Sequence, residues 1–137
     1  MGNETTETWT ETKTLKGRTI KSVEGLESYS GEVKLTFTDD STLRMYHPQE
    51  CCESVQLIDF DDLKPEDLIG GTIVLFEEYT KEGDCTMISV EQYTFYRMRT
   101  TKSDMTMRWH GESNGYYGID VTLRLEDTDG NEIYDDD

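Results

Sequence analysis

Four residues in a seven-residue window, His47, Cys51, Cys52 and Glu53, carry the side chains that ligate zinc or form a nucleophile with its base. A tetrahedral zinc site needs sulfurs that converge from separate directions. Adjacent cysteines do not easily give one ion both sulfurs, and the remaining soft ligands, Cys85 and His110, stand far along the chain. A catalytic thiolate needs surroundings that lower its pKa, and Glu50 and Glu53, which flank the pair, act in the opposite sense. The adjacent cysteines therefore read as small buried hydrophobes, the commonest role of a free cysteine. Neither a phosphate-cradling G-x-x-x-x-G-K loop nor a G-x-G-x-x-G run occurs. Asp127-Thr128-Asp129-Gly130 matches the opening of a calcium loop without its later ligands. These residues lead us to expect no catalysis, no metal and no cofactor, and a function in binding.

Charge says what would be bound. Thirty Asp and Glu face thirteen Lys and Arg, a formal charge of −17 with a pI near 4.3. Solubility of a small domain is served by a net charge of about 2–8 in magnitude, so solubility alone does not account for the excess. Such a field repels nucleic acid and anionic membranes and attracts basic surfaces, so neither direct nucleic-acid binding nor a membrane partner is expected. The acidic residues concentrate between Asp39 and Asp67, where Asp39, Asp40, Glu50, Glu53, Asp59, Asp61, Asp62, Glu66 and Asp67 meet only Arg44 and Lys64. Carboxylates spaced on rigid turns imitate a phosphate backbone and fit a basic groove by electrostatic complementarity.

Two features stand against this acidic background. Arg97, Arg99, Lys102, Arg108 and His110 fall in one hairpin, with 95, 97 and 99 on one face of the first strand and 106, 108 and 110 on one face of the next. That basic face either pairs with acidic strands or forms a second contact surface. Gly111–Gly118 reads GESNGYYG, a strong two-residue turn signal at Asn114-Gly115 followed by Tyr116 and Tyr117, which suit a packing role or an interface anchor equally.

The elements that position these residues are strands. Glu32–Thr38 alternates Val33, Leu35 and Phe37 on one face, and Thr42–His47 returns after the turn Asp39-Asp40-Ser41 as a hairpin. Further strands are expected at 19–26, 54–60, 72–79, 86–100, 105–111 and 116–125, with a turn at 81–84. A helical turn is expected at 64–68, with Pro65 in its first position and Asp62 as cap. The run Ile73, Val74, Leu75 and Phe76 predicts burial on both faces. The fold class is mainly β: a seven- or eight-strand antiparallel sheet, folded as a sandwich or half-open barrel, with one short helix. Leu35, Phe37, Leu43, Ile73, Leu75, Phe95, Met107, Trp109 and Val121 are its expected core. One domain is expected over 15–125, between an acidic Thr/Glu-rich tail at 1–14 and an acidic tail at 126–137. The N-terminal stretch lacks a signal-peptide pattern, and acidic neighbours make acylation at Gly2 a poor anchor.

Three stretches carry a resemblance: HPQECCESV at 47–55, DLIGGTI at 67–73, and YTFYRMRTTKSDMTMRWHGESNGYY at 93–117. Over roughly residues 15–123 the chain resembles a phage-encoded family of small domains with no assigned function. It departs from the family at 102–105, where K-S-D-M replaces a lysine-glycine-tyrosine run, and in its two acidic tails. The resemblance implies a phage or prophage origin and a compact β-rich fold. With the charge, it leads to the expectation of an anti-defence, anti-CRISPR-like inhibitor in the host cytoplasm. Its partner would be a host nuclease or nucleic-acid-binding complex with a basic groove. Asp39, Asp40, Asp59, Asp61, Asp62, Glu66 and Asp67 would imitate phosphates, with Tyr116 and Tyr117 as apolar anchors. The alternative is a self-associating structural or accessory phage protein; a small metal enzyme built on His47 and Cys51 is a third reading.

Overall fold

A computed structural model of the chain describes residues 8–134. The first half of the N-terminal tail, residues 1–7 with Gly2, and the last three residues of the C-terminal tail lie outside the described residues. Ten strands form two five-stranded antiparallel sheets. They are β1 (Thr10–Glu11), β2 (Ile20–Glu24), β3 (Glu32–Phe37), β4 (Thr42–Tyr46), β5 (Ser54–Asp59), β6 (Ile73–Cys85), β7 (Val90–Thr100), β8 (Asp104–Ser113), β9 (Thr122–Glu126) and β10 (Glu132–Ile133). A 3-10 turn at Lys13–Leu15 and a four-residue helix α1 (Pro65–Leu68) complete the elements. The first sheet runs β1-β6-β7-β8-β5 and the second β10-β9-β4-β3-β2. Neither closes into a barrel.

The expected seven- or eight-strand sheet is thus corrected to ten strands in two sheets. The additions are β1 and β10, two residues each; the alternation Thr8-Trp9-Thr10 allows the first as an edge strand in place of a frayed tail, whereas nothing in the sequence marks the second. Both pair onto strand edges, β1 at Glu77–Glu78 and β10 at Leu125–Glu126. Within the expected tail at 126–137, residues 127–131 instead form the turn between β9 and β10. There Asp127 accepts hydrogen bonds from the N–H groups of Asp129 and Asn131, so the acidic run that matched a calcium loop is a hairpin turn.

Alternation succeeds where strands are regular. On β3 and β4 it puts Val33, Leu35, Phe37, Leu43 and Met45 inside, with Leu35 opposite Leu43. It fails at irregularities. A register shift between Ile73 and Leu75 reverses the phase of β6, so Phe76 enters the core, Leu75 is half-buried and Val74 is 45% exposed. The expected burial on both faces does not hold. Phe95 is also not core: on β7 the buried residues are Thr94, Tyr96, Met98 and Thr100. Phe95 shares its face with Arg97 and Arg99, and two arginines are far costlier to bury than one phenylalanine is to leave half-exposed. The expected turn at 81–84 lies inside β6, and the chain reverses at 86–89, where the N–H and the hydroxyl of Thr86 both donate to Ser89 C=O. Residues 114–121 form a connection, so the last long strand starts at Thr122. The cap of α1 is Lys64, not Asp62. The Lys64 N–H donates to the carboxylate of Asp67, which satisfies an otherwise unpaired donor of the first turn.

Gly25 fixes the bend between β2 and β3. Its φ is +80°, and a Cβ there would stand 2.0 Å from the carbonyl oxygen of Glu32. Gly25→Ala should cost more than about 2 kcal/mol, the left-handed penalty of roughly 1–2 plus a backbone clash. Gly17 has a similar φ of +89° with nothing near it, so Gly17→Ala should lose only the conformational part. Urea unfolding of the two variants measures the difference; equal losses would show that the clash relaxes freely.

Candidate functional site

Strand direction gathers the expected carboxylates at one end of the molecule. The β3–β4 turn, the loop after β5, the start of β6 and the β7–β8 turn all open there. Thr38 N–H donates to Thr19, and Gly70 N–H to Ile20, which ties the Asp39–Asp40 turn through β2 to the loop carrying Asp59–Asp67.

The carboxylates differ in what they do. Arg18 pairs with Asp39 at 2.9 Å and Lys21 with Asp40 at 2.7 Å, so these two are already neutralised by cations distant in sequence. Hydrogen bonds from the Ser41 hydroxyl and N–H, with Arg18 nearby, hold the Asp39 carboxyl below its ordinary value. In the 59–67 loop the partners are backbone donors, not cations. Asp59 accepts from Asp61 N–H at 3.2 Å, Asp61 from Thr106 N–H at 2.8 Å and Asp67 from Lys64 N–H at 2.8 Å. Each bond fixes a carboxylate without cancelling its charge. Asp61 and Asp62 adopt φ near +59° and +58°, a left-handed turn that aspartate tolerates. Lys102 Nζ donates to the carbonyls of Glu66 and Ile69, clamping the loop against the β7–β8 turn from below.

Tyr116 and Tyr117 are not part of this end. They follow β8 at its far end, with Tyr116 82% exposed and the two rings edge to face at 4.9 Å. The structure therefore does not bring the expected anchors together with the expected phosphate mimics. The same loop contains an overlooked G-x-S-x-G spelling, Gly111-Glu112-Ser113-Asn114-Gly115. A nucleophile elbow needs a strand-to-helix turn. Here the serine ends β8 at the connection that crosses from the first sheet to the second, with no helix after it, and its hydroxyl donates to Tyr117 C=O.

The His47–Glu53 window is a polar node. Leu43, Met45 and His47 continue the inward phase of β4, as Glu53, Val55 and Leu57 do on β5. A Glu in phase with apolar residues was the signal that sequence reading missed. The Glu53 side chain is fully buried and accepts from His47 Nε2 at 2.7 Å and from the N–H groups of Glu50 and Cys51 at 2.9 Å. Burial alone pushes its pKa up; the bonds from His47, Glu50 and Cys51 outweigh burial and hold it at about 2. His47 Nδ1 donates to Asp120 C=O at 2.7 Å. Both ring nitrogens are thus used, and neither offers a lone pair to a metal. Cys51 and Cys52 are exposed and joined to each other by a disulfide, so the expected buried packing role does not hold. Cys85 is a free, exposed thiol. Among the described residues no group of three His, Cys, Asp or Glu is arranged to hold a metal ion.

Of the basic hairpin residues, Arg97, Arg99, Arg108 and His110 share the outer face of the first sheet and most are paired, while Lys102 lies in the β7–β8 turn. Arg97 Nε lies 2.8 Å from Glu77, though out of hydrogen-bond alignment; Arg99 meets Asp104 and His110 meets Glu91. Among the described residues no helix is long and apolar enough to cross a membrane.

A two-sheet antiparallel β domain with rigid carboxylate loops at one end is the class these features define. The chain belongs to the family described as a domain of unknown function (DUF7448), whose model matches residues 13–123. No curated protein and no solved structure matches the chain.

Proposed function

We propose that the protein is an inhibitor that occupies the basic groove of a nucleic-acid-binding partner with the carboxylates of its 59–67 loop. The carrying observation is that Asp59, Asp61 and Asp67 are each fixed by a backbone N–H and not by a cation, beside exposed Asp62 and Glu66. Preorganised negative charge loses little entropy on binding and steers fast, salt-sensitive association. A nuclease complex of a phage host, with its cationic channel for polyphosphate, is the partner this surface suits; anti-CRISPR-like inhibition is the form we propose. Asp39 and Asp40 contribute less than the sequence implied, because Arg18 and Lys21 already cover them.

The test is co-purification from host lysate at low salt with the native chain and with D59N/D61N/D62N/E66K/D67N, which keeps Asn at the left-handed positions 61 and 62. The amides keep an oxygen to accept the backbone bonds, so the fold is retained while the charge is removed. Retention of a basic nuclease or DNA-binding complex should fall at least about tenfold in the variant and on raising salt. Equal retention by both chains, or no basic partner at all, overturns the reading.

A further inference from the structure

The outer face of the first sheet carries a second site of different chemistry. Pairing sets Lys81, Tyr93 and His110 in one cross-strand row and Tyr79, Phe95 and Arg108 in the next. Trp9 extends the second row: its ring centroid is 5.4 Å from Tyr79, which stands 5.9 Å from Phe95. Tyr93 lies 6.5 Å from Phe95 and 5.2 Å from His110. A face built only for solvation would place hydroxyls and charges here, not a continuous band of half-buried rings.

Within this band Lys81 and Arg108 are cations with no hydrogen bond or ion pair among the described residues, in contrast to Arg97, Arg99 and His110. Lys81 is directly opposite Tyr93 and Arg108 directly opposite Phe95. The four line a groove of about 370 Å³ together with Glu82, Gly83 and Asp84. Tyr93 is held in place. A Cβ at Gly83 would come within 3.0 Å of its ring, so only glycine lets the ring lie against that strand. On the other side His110 is fixed by Glu91, which also accepts from Asp84 N–H.

We propose that this groove binds a nucleotide, with the base stacked on Tyr93 and Phe95 and the phosphate held between Lys81 and Arg108. Stacking on aromatic faces beside a cation is how proteins take up unpaired bases. The groove's size falls in the range of small-ligand sites. Its two cations are balanced by Glu82 and Asp84, which suits one phosphate and opposes three. A nucleotide within a single strand has the same chemistry, but every further phosphate meets the field of a chain carrying −17. The free mononucleotide is therefore the occupant. The site adjoins the acidic end, since Arg108 stands directly opposite Asp59 across β5 and β8, but it does not rest on the function proposed there.

Amide spectra of the full chain, titrated with adenosine monophosphate, adenosine, inorganic phosphate and an eight-residue oligothymidylate, test the proposal. The monophosphate should shift residues 81–84, 93–95 and 108 and bind about tenfold tighter than adenosine or phosphate alone. Arg108→Gln, at an exposed position, and Tyr93→Leu should each weaken it about tenfold, with circular dichroism showing both folded. Equal affinity for adenosine, an unchanged Arg108→Gln, or shifts elsewhere or nowhere overturns the site. Much tighter binding of the oligothymidylate overturns the mononucleotide in favour of a strand.

Discussion

Replacing Trp109 by alanine is expected to remove about 3–5 kcal/mol of stability, the range for deleting a large aromatic from a packed core. The melting midpoint should fall by about 10–20 °C. Trp109 is fully buried at the centre of β8, between Leu57 of β5 and Thr94 of β7. The β7–β8 ladder runs without a register shift past Trp109, which limits how far its neighbours can collapse into the space. Its indole N–H has no hydrogen-bond partner among the described residues. Trp109→Phe removes that costly donor along with part of the volume, and should therefore lose under about 2 kcal/mol. Thermal and urea unfolding of both variants give the comparison. A loss below about 1 kcal/mol for the alanine variant would mean that the core is not packed around this ring.

The second large effect is on acid stability, at Glu53. Its folded pKa of about 2 lies below the ordinary value of 4.5, so its contribution is fully present above about pH 4.5 and is lost as pH falls toward 2. Two effects run the other way at higher pH. Burial raises the pKa of Glu78, against the opposing hydrogen bond from Tyr96, so Glu78 favours the folded chain below its ordinary value and loses this as pH rises. Self-repulsion at −17 also relaxes as pH approaches the pI near 4.3. The native chain should be most stable near pH 4–5 and weaken below it. Glu53→Gln leaves His47 and two N–H groups poorly matched, and should lower the melting midpoint at pH 7 by about 10 °C. It should also flatten the decline below pH 4.5. Melting curves from pH 2 to 8 decide: parallel acid declines in the two chains would remove Glu53 from the account.

The two-sheet fold was legible where alternation is unbroken. Val33, Leu35 and Phe37 against Leu43 and Met45 mark a hairpin that the structure contains with the expected facing. It was illegible where one residue too many enters a strand: the shift between Ile73 and Leu75 moves Phe76 inward, and nothing in I-V-L-F marks that step. The phase of β7 was available in principle, since placing Arg97 and Arg99 on the face of Phe95 already says that this face is outward. At the acidic end, clustering of the Asp59–Asp67 carboxylates follows from their neighbourhood in sequence. Their division into neutralised and free groups does not, because Arg18 and Lys21 reach Asp39 and Asp40 from about twenty positions away. The burial of Glu53 was missed because a glutamate after two cysteines reads as solvated surface; its match to the phase of Val55 and Leu57 was the sign of it.

The bond from His47 to Asp120 has a kinetic meaning. The chain passes from the second sheet to the first between β4 and β5, and returns between β8 and β9. His47 and Glu53 lie on the outward passage and Asp120 on the return. This clasp therefore closes only after strands far apart in sequence have found one another, at the late stage of assembly. A contact not yet made in the folding transition state restrains opening more than it hastens folding, and on that ground we expect the clasp to act on how long the native chain persists more than on how fast it is reached.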